Sequence, residues 1–229
     1  MMLPIQVRQI HKDKRENGFT LIEMSMVMVI MGIIISIMMT VMPSLLKTGK
    51  IKEARAILQK YDLVLQGYAM TNYRLPFADS NGDGLENTNV FVGTLPYQTL
   101  GLTHCNDVWG QPVKYAVYGI AGGTLNLTDT SNKTTFDTAM TGIAGAAFNQ
   151  NIVYVTPSDA CSSVGAVNQA YVVASGGAKD LDGVNGYFDL CTGTAGAGFN
   201  EDKKIQALNY DDLVRPVSLG ELKAKVSGP

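Results

Sequence analysis

The sequence predicts an α+β chain in which a long N-terminal transmembrane helix continues into an amphipathic helix packed on an antiparallel β-sheet. Three observations carry this. Residues 24–42 are nineteen consecutive uncharged, mostly apolar residues. Residues 50–70 place apolar side chains at spacings of three and four, one stripe of a helix. Farther on, short runs such as "NIVYVT" (151–156) and "AYVVAS" (170–175) are β-branched and aromatic and lie between Gly, Asn and Asp clusters, the pattern of strands and turns.

Composition bounds the rest. The 229 residues leave room for one membrane element and one globular domain, the latter of roughly 150–180 residues. A formal net charge of −2 argues against nucleic acid as a partner, since general binding to it needs a basic surface. An apolar share of 46% supports a core. The low charge and the abundance of Gly, Asn, Thr and Ser suit an exported, loop-rich domain.

The first element runs "GFTLIEMSMVMVIMGIIISIMMTVM". As a helix, residues 24–42 extend roughly 28 Å, close to the hydrocarbon thickness of a bilayer. The preceding residues carry Arg8, Lys12, Lys14 and Arg15 against Asp13 and Glu16. The positive-inside rule therefore places residues 1–18 in the cytoplasm and the bulk of the chain across the membrane. The run is too long for a secretory h-region, and no A-x-A-like site follows it. Glu23 is its only charge. A carboxylate in hydrocarbon costs about 2.5–3.5 kcal/mol on insertion scales, so such a residue needs a partner.

"GFTLIE" after a short basic leader and before an apolar helix resembles the N-terminal motif of type IV prepilins, the family of type IV pilins and of the pseudopilins of type II secretion. The resemblance implies a pilin-like fold. It implies cleavage by a membrane prepilin peptidase between Gly18 and Phe19, with Phe19 becoming the N-methylated first residue. Glu23 becomes the fifth residue, which in the family pairs with a neighbouring subunit's N-terminal amine. Gly32 falls where pilin helices often carry a glycine. The implied segments are a cytoplasmic leader (1–18), a transmembrane and filament-core helix (19–42) and a periplasmic head (43–229). The implied partners are copies of the chain and other pilin-like subunits, prepilin peptidase, the inner-membrane assembly platform and membrane lipid. Buried charge is tolerated when paired, and a cation at Phe19 facing Glu23 of a neighbour meets that condition.

Pro43 is expected to end or kink the membrane helix. In the next helix Ile51, Ala54, Ile57, Leu58, Tyr61, Val64, Leu65, Tyr68 and Ala69 form the apolar stripe, and Lys52, Glu53, Arg55, Gln59, Lys60 and Asp62 take the remaining surface. Such a stripe calls for a sheet beneath it.

"DSNGDG" follows. Asp79, Asn81 and Asp83, with Gly84 behind them, match the first half of a calcium loop. The twelfth position is Val90 where a bidentate glutamate belongs, with Glu86 the nearest substitute. The same residues also suit an Asx-rich turn without an ion. "DVWGQPVKY" (107–115) resembles a segment of major pseudopilins, with Val108 in place of a proline. Asp107 and Gly110 bracket a turn that Trp109 staples to the core, and Val113, Tyr115 and Val117 alternate as a half-buried strand. "GTLNLTD" and "KTTFDTAM" read as short strands.

A second acidic loop, "ASGGAKDLDGVNGYFDL", leaves one strand and returns into another. Major pseudopilins carry a similar loop that binds calcium. By position the resemblance makes Asp180, Asp182 and Asp189 candidate ligands, helped by backbone carbonyls near Ser175. Three side chains alone do not complete the six to eight oxygens calcium takes. Of the three cysteines, Cys105, Cys161 and Cys191, an exported head suggests one disulfide and one odd thiol. Three pairings are possible. Cys161–Cys191 is favoured because both flank the same Gly/Asp-rich stretch. In a reducing compartment all three stay thiols. Ser218 and Glu221 form a capping-box pattern ahead of a terminal helix.

No Walker loop, G-x-S-x-G or H-E-x-x-H is present. His104 and Cys105 are adjacent, a poor arrangement for a nucleophile and its base. No cofactor other than structural Ca2+ is expected. The alternative to a filament subunit is a membrane-anchored periplasmic binding module with calcium-stabilised loops.

Overall fold

The computed structural model describes residues 18–157, 166–181, 183, 186–188, 198–200 and 211–226. The element order is α1 (Leu21–Asn72), β1 (Val92–Thr94), β2 (Lys114–Val117), α2 (Lys133–Ala144), β3 (Tyr154–Thr156), β4 (Gln169–Ser175), β5 (Gly198–Asn200), β6 (Leu213–Ser218) and α3 (Leu219–Val226). The chain divides into two units, with the boundary between Thr48 and Gly49. The layout, a long N-terminal helix and a four-stranded antiparallel sheet, fits a pilin-like fold.

In the first unit the apolar side chains from Leu21 to Leu46 are exposed around the helix. Pro43 does not end the helix, which passes through it. Proline lacks only one N–H, so a single ladder bond is lost while the turns on either side keep theirs.

In the second unit the sheet order is β1-β2-β4-β6, and every neighbour is antiparallel. The outer part of α1 lies on this sheet through Ala54, Leu58, Tyr61, Leu65 and Ala69, all in the core with the strands. The register aligns Tyr115, Val173 and Arg215 in one row and Val117, Tyr171 and Val217 in the next. These rows share the helix-facing side, because paired residues point the same way. Tyr115 to Tyr118 are all buried, so β2 is not half-exposed as its alternation suggested. It is an interior strand between β1 and β4, with its second face covered as well. A separate parallel pair, β3 with β5, stands outside this sheet.

Two of the expected strands are something else. "KTTFDTAM" lies in α2, where Asn132 caps the helix and exchanges bonds with Thr135. Its Phe136, Ala139, Met140 and Ile143 are buried, an i, i+3, i+4, i+7 stripe that outweighs the β preference of its threonines. "GTLNLTD" is an irregular loop folded around Asn126, whose side chain accepts from the Ile120 N–H (3.0 Å) and donates to the Gly123 carbonyl and to Asp129. The terminal helix exists. Ser218 Oγ accepts the Glu221 N–H at 3.1 Å, while the Glu221 carboxylate turns to Arg215 instead of closing the box.

Candidate functional site

The residues at the motif sit where the helix begins. Gly18 and Phe19 precede α1 and are exposed, and Thr20 stands at the N-cap. The first N–H groups of a helix have no partner within it. Here Thr20 Oγ1 accepts the Glu23 N–H (3.3 Å), and Glu23 Oε2 accepts both the Thr20 N–H and the Thr20 hydroxyl, each at 2.9 Å. This is a capping box, T-L-I-E. The signal for it in the sequence is the spacing of three residues between Thr20 and Glu23. Only Oε2 takes part in these bonds.

From Leu21 onward the helix is long and apolar enough to cross a membrane by length and composition. Its exposed side chains include Leu21, Ile22, Met26, Met28, Ile33 and Met39. An apolar surface of this extent requires lipid or other helices around it.

The first acidic loop is a closed turn. Asp79 is 1% exposed. Its Oδ1 accepts the N–H groups of Asn81 (3.0 Å) and Gly82 (2.7 Å), and its Oδ2 accepts that of Gly84 (2.7 Å). Asn81 and Asp83 bond to each other and to the backbone of Asp83 and Leu85. Gly84 adopts φ +83°, and a Cβ there would meet the Tyr97 ring at 2.4 Å. These backbone N–H donors hold the Asp79 carboxylate inside the turn. Glu86 faces inward, towards Arg74. It pairs with Arg74 through both oxygens and accepts the Phe77 N–H. Burial pushes the Glu86 carboxyl up, but Arg74 and the Phe77 N–H outweigh it and hold it below its ordinary value.

In the second acidic loop Asp180 is exposed, and its Oδ1 accepts the Gly183 N–H at 2.7 Å. Asp182 and Asp189 lie outside the described residues, as do Cys161 and Cys191. Among the described residues no group of three or more His, Cys, Asp or Glu side chains is placed to hold a metal. Cys105 is a buried free thiol, raised in pKa chiefly by burial. His104 beside it is exposed. The turn at 107–111 forms as its residues predict: Asp107 Oδ1 accepts from the Trp109 and Gln111 N–H groups, and Gly110 has φ +82°.

One cluster escaped sequence reading altogether. Asp62 is 3% exposed, not on the polar face of α1. Its Oδ1 accepts the Tyr171 hydroxyl (2.5 Å) and the Gln66 amide (2.9 Å). Its Oδ2 accepts Arg215 Nε (3.2 Å) and Nη2 (3.1 Å). Arg215 also pairs with Glu221 of α3. Burial first, then the Asp62 charge, pushes the Tyr171 phenol far up, so it stays a donor. The cluster ties α1, β4, β6 and α3 at one point. Each of the bonding groups named has its partner, and nothing in the geometry offers a nucleophile.

Residues 13–39 match the family described as the prokaryotic N-terminal methylation motif, the hallmark of type IV pilins and pseudopilins. No curated protein and no solved structure matches the chain. With the single apolar N-terminal helix, the motif fits a membrane-anchored, single-pass precursor of the kind that prepilin peptidase processes.

Proposed function

We propose that the chain is a structural subunit of a type IV pilus or a type II secretion pseudopilus, matured by prepilin peptidase and assembled through its N-terminal helix. The observation that carries this is the methylation motif at residues 13–39, which ends in an apolar helix whose side chains are exposed on all sides. Cleavage between Gly18 and Phe19 leaves an amine at Phe19 four residues before Glu23. Within its own chain Glu23 uses Oε2 for the Thr20 cap. Oε1 is then the oxygen that receives the Phe19 amine of a neighbouring subunit. Two ions in hydrocarbon are tolerable only as a pair, so this contact sets the axial register of the stacked helices. The head, outside the inner membrane, forms the filament surface. Other pilin-like subunits, the peptidase and the assembly platform of the inner membrane are the partners this requires.

The test is the N-terminus of the protein taken from its native membrane, determined by mass spectrometry with and without the host's prepilin peptidase. A chain beginning at N-methylated Phe19 only when the peptidase is present is the expected result. A chain that keeps residues 1–18 in both samples would overturn the proposal and leave a membrane-anchored module that forms no filament.

A further inference from the structure

β6 is the last strand of the four-stranded sheet, and among the described residues no strand pairs with its outer edge. The ladder decides which of its groups face that edge. The Tyr118 N–H bonds the Ala170 carbonyl, and the backbone groups of a strand alternate between its two edges. Ala170, Val172 and Ala174 therefore turn theirs to β2, and Tyr171, Val173 and Ser175 turn theirs to β6. The partners of those three are Val217, Arg215 and Leu213, so Val214 and Pro216 point their backbone groups outward. Proline suits that position, since it has no N–H to give the ladder. Val214 is different. It is 5% exposed, and its N–H and carbonyl have no backbone partner among the described residues. Buried backbone groups of native proteins are almost always paired.

This edge borders a recess of about 280 Å³ within the second unit. Val214 and Arg215 both line it, although consecutive strand residues point to opposite faces. The recess therefore runs along the edge and not over one face. Its other wall is a flank of α1, where Lys52, Arg55, Ala56 and Gln59 stand beside the buried Leu58. Among the described residues its lining holds Lys52, Arg55 and Arg215 and no acid. An open sheet edge takes an added strand, with main-chain bonds giving affinity and alternate side chains giving specificity. Basic side chains beside the edge call for carboxylates on that strand. The chain itself is rich in them: residues 61–229 carry sixteen acidic and nine basic residues. We propose that the recess receives an extended, acid-bearing segment of a second copy of this chain, which adds to β6 as a fifth strand, bonds the Val214 N–H and carbonyl, and sets a carboxylate against Lys52. The contact joins two different surfaces, and a repeated contact of that kind builds an open filament. The proposal rests on the filament-subunit reading given above and names one contact of that filament.

The full chain is isolated from its native membrane in detergent, as an equal mixture of heavy-isotope-labelled and unlabelled copies. A zero-length carbodiimide joins neighbouring amines and carboxylates, and the joined peptides are identified by mass spectrometry. Lys52 is expected to be joined to an Asp or Glu of residues 61–229 in peptides that pair a heavy copy with a light one. V214P removes the outward N–H and no bond to β4, so it should lower that yield by about two- to tenfold. K223Q/K225Q, which removes two lysines of α3, should leave it unchanged. Hydrogen exchange tests the wild type without any substitution. The Val214 amide should exchange about tenfold more slowly in the concentrated sample than after dilution to monomer, while the Arg215 amide, bonded to β4, does not change. Lys52 joined only within its own copy, or to no acid of residues 61–229, overturns the proposal, and so does a Val214 amide indifferent to dilution. A chain that keeps residues 1–18 removes the filament reading, and the detergent experiment still decides the edge contact. A matured chain without the contact removes the contact alone.

Discussion

Asp62→Ala tests the one polar cluster that joins the outer helix to the sheet. The substitution removes a carboxylate that accepts from Tyr171, Gln66 and Arg215. Tyr171 is 0% and Gln66 5% exposed. Each is then left with a buried donor whose desolvation costs about 1–3 kcal/mol. Tyr171 keeps only a 3.4 Å contact to the Asp62 carbonyl. Arg215 contributes less: its side chain is 37% exposed and retains Glu221, so solvent screens most of its loss, about 0–1 kcal/mol. The sum is about 2–7 kcal/mol, or a fall of about 5–25 °C in melting temperature for a head of this size. The assay is denaturant unfolding of the detergent-solubilised chain, followed by the fluorescence of Trp109, the sole tryptophan. Tyr171→Phe alone should cost about 1–2 kcal/mol. The double variant should cost less than the sum by about 1–2 kcal/mol, because with the Tyr171 hydroxyl gone its orphan disappears, while that of Gln66 remains. Additive losses, or an Asp62→Ala cost under about 1 kcal/mol, would show that the carboxylate is solvated and refute the reasoning.

Three further outcomes are expected. The Glu86 carboxyl is held below its ordinary value of 4.5, so its contribution is present above that pH and lost as pH falls through the lower, folded value. Glu86→Gln should therefore flatten the dependence of stability on pH below its ordinary value of 4.5, read from melting curves at descending pH; an unchanged slope contradicts the Arg74 pairing. Asp79→Ala should destabilise the head by about 2–4 kcal/mol through the three N–H groups it orphans, read from denaturant unfolding in EGTA; a loss under about 1 kcal/mol would show that those N–H groups are solvated. Glu23→Gln keeps an oxygen for the Thr20 cap but no charge for a neighbour's amine, so processing at Gly18–Phe19 should continue while filaments seen by electron microscopy disappear; normal filaments would remove Glu23 from the register contact.

Much of the first unit could be read from residues in order. The basic leader, Gly18, Phe19, Glu23 and the uncharged run are contiguous, and their meaning depends on the bilayer and on covalent processing, not on distant parts of the chain. The same holds for the helical stripe at 51–69, for β4 and for the turn at Asp107, where spacing or a local hydrogen bond decides the structure. The tertiary structure decided what depends on residues far apart. Asp62 reads as a surface acid until Tyr171 and Arg215, 109 and 153 residues later, come to it. Nothing beside Glu86 in the sequence marks Arg74, twelve residues earlier, as its partner. "KTTFDTAM" reads as a strand until Phe136, Met140 and Ile143 find the core and Asn132 caps the helix beneath them. In each case local propensity is worth a few tenths of a kcal/mol per residue, while burying an apolar side chain or pairing a buried charge is worth one to several, so the distant contact prevails over the local preference by about an order of magnitude.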